Sequence, residues 1–260
     1  MTACVRTSFD GGVARIELAR PEVRNAISLV MIGELRAAIG AVAERAASSP
    51  ESVRVTILQG EGSVFCAGMD LKAVANDPVA MGQMLRDLSR ALLELRRLPM
   101  PTIARVQGAA VGGGCGLAVV CDFAVTHAEA KLGYPEVDLG VCPAVVAPWL
   151  MRRIGAGPAR AMLLMGGTIT GREALARGLV THCVEAAELP AQVASLAASL
   201  ASGGRLALEC TKRLLNELDG SLDERIADEA AELSARVIAG TEAQARISAR
   251  IGSKPPARSH

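Results

Sequence analysis

The sequence predicts an α/β fold: a core of strands alternating with helices, followed by a purely helical C-terminal region. Three observations predict it. A strand–turn–strand pattern opens the chain. Short β-branched runs then alternate with stretches of helical period to about residue 185. Beyond that point only helical spacing is left.

Taken in order, Val5 to Phe9 and Val13 to Leu18 flank Asp10-Gly11-Gly12 and read as a β-hairpin. Ser28 opens a helix with apolar residues at Met31, Leu35, Ile39 and Val42. Val53 to Leu58, bounded by Gly60 and Gly62, is a buried strand. Met81, Met84, Leu85, Leu88, Leu92 and Leu95 mark a second amphipathic helix. Thr102 to Val106 is a strand, a glycine-rich turn at Gly112 to Gly116 leads into a short helix from Leu117 to Val120, and Asp122 to Val125 is a further strand. From Ala144 onwards the pattern is mainly helical. Ser221-Leu222-Asp223-Glu224 has the form of a capping box, and Leu222, Ile226, Ala230, Leu233 and Val237 follow it at helical spacing. That stripe suits packing on its own domain or on a neighbouring subunit. Pro255-Pro256 and the last residues read as a flexible tail.

Composition narrows the function. The chain has 260 residues, 50% of them hydrophobic, enough for one large core. A net charge of +1 and five aromatic residues give neither the field nor the stacking platform of a nucleic-acid binder. Seven scattered cysteines, an odd number with no Cys-x-x-Cys pair, read as small buried thiols. With only three histidines, no zinc site is expected. No long apolar run opens the chain and none is long enough to span a bilayer, so the expected location is the cytoplasm, with no membrane partner.

Three segments carry candidate chemistry. Arg20 to Ser28 is a polar loop between hairpin and helix. Gly60 to Leu71 follows a buried strand, and Ala67 and Gly68 let another molecule approach the main chain. Gly112-Gly113-Gly114 precedes a buried helix, whose free N–H groups suit an oxyanion. The glycine spacing lacks the setting of a dinucleotide fingerprint and the Lys-Ser/Thr of a P-loop.

Together, Gly68-Met69-Asp70, the Gly112 to Gly114 run and Pro135-Glu136-Val137 resemble the enoyl-CoA hydratase/isomerase (crotonase) family. Arg24-Asn25-Ala26, Cys121-Asp122, Thr170 to Leu175 and Gly178-Leu179-Val180 extend the resemblance over nearly the whole chain. It implies a spiral of ββα units over residues 1–195, carrying the acyl-CoA site. Residues 196–252 are then a helical region that builds a trimer or a dimer of trimers, and residues 253–260 a tail. It implies a coenzyme A thioester as ligand and no separate cofactor. It places Glu136 as the catalytic carboxylate and the amides of Met69 and Gly113 as the donors to the thioester oxygen. Arg24, Ala26, Ala67, Gly68, Asp70, Leu71, Lys72 and Gly112 line the CoA. Arg24 and Lys72 are candidate phosphate cations, and Lys212 or Arg213 would reach in from the C-terminal helices. An apolar wall from Ala144, Val145, Val146 and Trp149 would raise the Glu136 pKa.

One position departs from the pattern. The second glutamate of well-known hydratases is Gly116 here. Neither Asp122, expected to be a structural acid, nor Glu61 or Asp70 on the other loop is an obvious replacement. Tyr134 to Pro148 resembles the bacterial methylglutaconyl-CoA hydratase-like branch, which tilts the expectation toward hydration of a branched or polar enoyl-CoA in fatty acid metabolism. Isomerisation between 3- and 2-enoyl-CoA, thioester hydrolysis, and a non-catalytic acyl-CoA-binding subunit are the other readings.

Overall fold

The computed structural model describes residues 3–74 and 77–252. The opening hairpin is β1 (Val5–Asp10) paired antiparallel with β2 (Val13–Leu18). Then come α1 (Leu29–Ser48), β3 (Val55–Gly60), α2 (Pro78–Arg97), β4 (Thr102–Val106), β5 (Ala109–Val111), α3 (Gly113–Val120), β6 (Phe123–His127) and β7 (Lys131–Gly133). The remainder is α4 (Ala147–Ile154), α5 (Ala156–Met165), β8 (Thr168–Thr170), α6 (Gly171–Ala176), β9 (His182–Val184), α7 (Leu189–Ser202), α8 (Arg205–Leu218), α9 (Glu224–Ile238) and α10 (Thr241–Gly252). The expected tail at 253–260 lies outside the described residues.

The strands form a six-stranded sheet, β1-β2-β3-β4-β6-β9, parallel from β2 onward, and a three-stranded sheet, β5-β7-β8. Both faces of the larger sheet are covered, so its central strands carry apolar residues on both sides. On one face Val55, Ile57, Ile103 and Val125 pack with Leu189, Val193 and Ala197 of α7. On the other, Ile16, Leu58, Ala104 and Val106 join the core with Met31, Leu35 and Leu88 from α1 and α2. Residues 195 and 196, the expected junction of core and C-terminal region, both lie within α7.

The expected elements hold, with three corrections. The glycine run is not a turn ahead of α3, because α3 begins at Gly113 and takes most of the run into its first turns. The cap of α9 is Asp223, whose carboxylate accepts from the amides of Arg225 and Ile226. Ser221 instead donates its hydroxyl to Asp219. The buried face of α9 is Ala227, Ala231, Ser234, Ala235 and Ile238, while Leu233 is exposed. Small residues sit there because α9 lies close against α2 of its own chain: a Cβ on Gly82 would stand 3.4 Å from the Ala235 Cβ. Arg86–Glu232, Arg90–Asp228 and Arg97–Glu224 ion pairs flank the seam.

Candidate active site

Two loops meet first. In the segment after β2, Arg24 and Asn25 adopt positive φ (56° and 53°). This left-handed turn is uncommon for residues with a Cβ, and the side chain of Asn25 holds it. That side chain is fully buried, accepts from the Arg20 amide at 2.8 Å, and donates to the carbonyls of Glu61 and Val64. The turn then zips onto the loop after β3: Ala67 N–H donates to Arg24, Ile27 N–H to Gly68, and Asp70 N–H to Ile27. Asp70 closes the join by pairing with Arg20 at 3.1 Å. Asp70 therefore fastens the two loops, and its other oxygen accepts from the Ala73 amide. Arg24 and Lys72 are exposed and in no ion pair among the described residues.

The pairing leaves particular donors over. The Gly112 amide is taken by the Gly133 carbonyl, and the Asp70 amide by Ile27. Neither the Met69 nor the Gly113 N–H has an acceptor among the described residues. Gly113 is the first residue of α3, where an N–H has no intrahelical partner and the helix end carries partial positive charge. The two turns touch. Gly68 has φ +88°, and a Cβ there would stand 2.8 Å from the Val111 carbonyl oxygen. Gly112 has φ +56°, and a Cβ there would stand 2.8 Å from Glu136 Oε1. Glycine at these two positions is what lets loop, helix start and carboxylate pack in succession.

Glu136 sits in a 3-10 turn (Pro135–Leu139) directly after β7 and Tyr134. Part of the residue reaches the surface, but Oε2 is enclosed and has no hydrogen-bond partner among the described residues. Burial without a cation pushes its pKa up to about 7, opposed only by a hydrogen bond from its own amide. It lines a cavity of about 110 Å³ with Gly68, Met69, Gly112 and Gly113, enclosed by Leu85, Leu88, Val145, Val146, Ser234 and Ile238. The expected apolar wall is thus half right. Val145 and Val146 belong to it, whereas Ala144 does not line this cavity and Trp149 lines a different one, beside Arg152 and Lys212.

The vacant carboxylate position has a physical counterpart. A Cβ on Gly116 would meet Val146 Cγ1 at 2.7 Å, so valine fills the space a side chain there would enter. Glu61 pairs with Arg6 and Asp70 with Arg20, and neither lines the cavity. Asp122 has the expected structural role. It accepts from the Thr102 amide and hydroxyl and pairs with Arg96 and Lys212. Lys212 is correspondingly buried, 2.7 Å from Asp122 and donating to the Met100 carbonyl, so it is not free to reach a ligand phosphate. Arg213 is exposed on the same helix.

Ser234 and Ile238 were not singled out in the sequence. Both come from α9, remote in the chain, and no sequence signal marked them, because the apolar spacing of that segment put its buried face on Leu222, Ile226, Ala230, Leu233 and Val237 instead. Among the described residues no group of acids, histidines and cysteines is placed to hold a metal, and no helix is long and apolar enough to cross a membrane. Cys66, Cys115 and Cys121 are buried and the other four thiols half-buried, all of them unpaired.

Known proteins are similar to this chain in sequence and in fold. The sequence matches the enoyl-CoA hydratase/isomerase family over residues 8–248. It is 37% identical over 221 residues to the probable enoyl-CoA hydratase echA6 of Mycobacterium leprae, covering 82% of each chain. It is 33% identical to the crotonyl-CoA hydratase of Syntrophomonas wolfei, covering 79% of this chain and 78% of that one. The structure superposes on an enoyl-CoA hydratase/isomerase from Xanthobacter autotrophicus with a TM-score of 0.85 at 28% identity, over 97% and 94% of the two chains. On Pseudomonas aeruginosa AtuE it gives 0.78 at 36% identity, over 96% of each. In sequence and in fold alike, this chain belongs to the enoyl-CoA hydratase/isomerase family.

Proposed function

We propose that the protein hydrates a 2-enoyl-CoA thioester, with Glu136 as the single acid and base. The carrying observation is the setting of that carboxyl: its pKa raised to about 7, it packs on Gly112 and lines one cavity with Met69 and Gly113, whose amides have no acceptor among the described residues. As a carboxylate, Glu136 takes a proton from water while the water oxygen bonds to C3. The electron pair of the double bond shifts through C2 onto the thioester oxygen. The Met69 and Gly113 N–H groups hold that oxygen, each such donor being worth about 3 kcal/mol in comparable sites. The enolate then collapses, and C2 takes the proton from Glu136, which ends as it began. One carboxyl suffices for the proton balance, and a pKa near neutrality lets it both accept and return the proton. The hydratase names of two relatives support this reading.

A second reading, migration of the double bond from C3–C4 to C2–C3, is favoured by Val146 standing where a second carboxylate would enter. There Glu136 would carry a proton from C2 to C4. Exposed Arg24 and Lys72 are the cations this chain offers to the CoA phosphates. Exposed Leu206, Leu214, Leu215 and Leu218 on α8 support a homo-oligomer contact. The test uses crotonyl-CoA and a 3-enoyl-CoA. Loss of conjugated-enoyl absorbance from the first supports hydration, gain from the second supports isomerisation, and thiol release indicates hydrolysis. Glu136→Gln is expected to lower kcat by about 10²–10⁴-fold; retention of full activity refutes the assignment.

A further inference from the structure

We propose that the acyl cavity accepts a short, uncharged acyl group, and that Ile238 and Ser234 of α9 form part of the wall that limits it. This rests on the acyl-CoA reading above and concerns which acyl groups that site takes.

Size is the first ground. The cavity holds about 110 Å³, against roughly 150 Å³ for an apolar protein cavity that takes one benzene. Scaled from that six-carbon ring, it has room for about four to five carbons. Its walls do not yield easily. Leu88 stands beside Gly113, where a Cβ would lie 2.7 Å from Leu88 Cδ2. Val146 fills the Gly116 space, and α9 is bound to α2 along its length by the Gly82–Ala235 approach and the three flanking ion pairs. The end of α9 is tied as well, because Gln244 donates to the Ile238 carbonyl at 2.6 Å.

Polarity is the second ground. Among the described residues no Lys, Arg or His lines the cavity, and its one acid is Glu136. The Ser234 hydroxyl is committed to main chain: it donates to the Cys142 carbonyl at 2.8 Å and accepts from the Val145 amide at 3.3 Å. A second carboxylate at the far end of an acyl group would find no cation and would lie in the same small space as Glu136. Leaving such a charge unpaired in an apolar site is costly. Of the branched or polar acyl groups that the Tyr134 to Pro148 resemblance suggests, one that carries a second carboxylate therefore does not suit this cavity.

The experiment measures kcat/KM for crotonyl-, hexenoyl-, decenoyl- and glutaconyl-CoA. Inhibition constants of butyryl-, hexanoyl-, decanoyl- and glutaryl-CoA are measured beside them. The two shorter monoacids are expected to exceed decenoyl- and glutaconyl-CoA by at least about tenfold, the scale of one misfitted group in an apolar pocket. Equal values for decenoyl- or glutaconyl-CoA overturn the proposal. If nothing turns over, the hydration reading fails, and the inhibition series still decides acyl preference by the same criterion. Ile238→Ala, with Ile238→Val as the milder change, is expected to raise the decenoyl-to-crotonyl ratio several-fold. An unchanged ratio in both variants removes Ile238 from the limiting wall.

Discussion

Holding Glu136 at a pKa of about 7 has a cost in stability that can be measured apart from catalysis. In the unfolded chain the carboxyl titrates near 4.5, and in the folded chain near 7, because burial disfavours the charged form. Below the unfolded value both states are protonated and the group is neutral toward folding. Between the two values the unfolded chain has lost the proton and the folded one keeps it, so stability falls as pH rises. Above about 7 both are ionised and the whole penalty is present, about 3 kcal/mol at ~1.4 kcal/mol per unit of pKa. Glu136→Gln cannot ionise and escapes that penalty. Its stability relative to the parent should therefore improve by about 3 kcal/mol from pH 4.5 to pH 8. The absolute offset at low pH reflects only how well the amide packs. Urea unfolding of both proteins, at one protein concentration and a series of pH values, reads the difference, in which every other titrating group cancels. A difference that stays flat across this range would mean that Glu136 ionises as freely as an exposed acid, and the single acid/base argument would fail with it.

Other consequences follow from the same geometry. Because the carboxylate is the form that takes the proton from water, kcat/KM should rise with pH through about 7, and a profile flat from pH 5 to 8 would contradict the role of Glu136. Gly112→Ala forces a Cβ to 2.8 Å from Glu136 Oε1 at φ +56°. The strain, about 1–3 kcal/mol, together with the displaced carboxylate should abolish most turnover while circular dichroism shows a folded chain. Gly116→Glu alone collides with Val146, whereas Gly116→Glu with Val146→Gly opens the space; crotonyl-CoA hydration should be poorer in the single variant than in the double. Lys212→Met leaves Asp122 buried with one cation fewer and should cost about 3 kcal/mol in urea unfolding, with Asp122→Asn recovering part of it in the double variant.

Much of this protein was legible in its residues alone. The hairpin and the two long amphipathic helices declare themselves through local period, because one face of each meets a core, whereas β3 and β4 declare themselves as short apolar runs, because both their faces do. The glycines at 68 and 112 and the carboxylate at 136 each have an ordinary packing or surface reading when taken alone; they stood out as chemistry only together, through the family resemblance they carry. Tertiary structure decided the rest. The strands β5, β7, β8 and β9 have three residues each, too few to show a period, and they exist because other strands lie beside them. Likewise, α9 turned its small residues inward because α2 was already there, which no spacing within α9 can reveal. Whether the Met69 and Gly113 amides keep their hydrogen-bonding capacity depended on which carbonyls their neighbours took. The raised pKa of Glu136 depended on valines and on an α9 serine and isoleucine from elsewhere in the chain. Sequence specifies which groups are present; desolvation and the sharing of hydrogen bonds are properties of their arrangement in space, and these decide what Glu136 and the two amides can do.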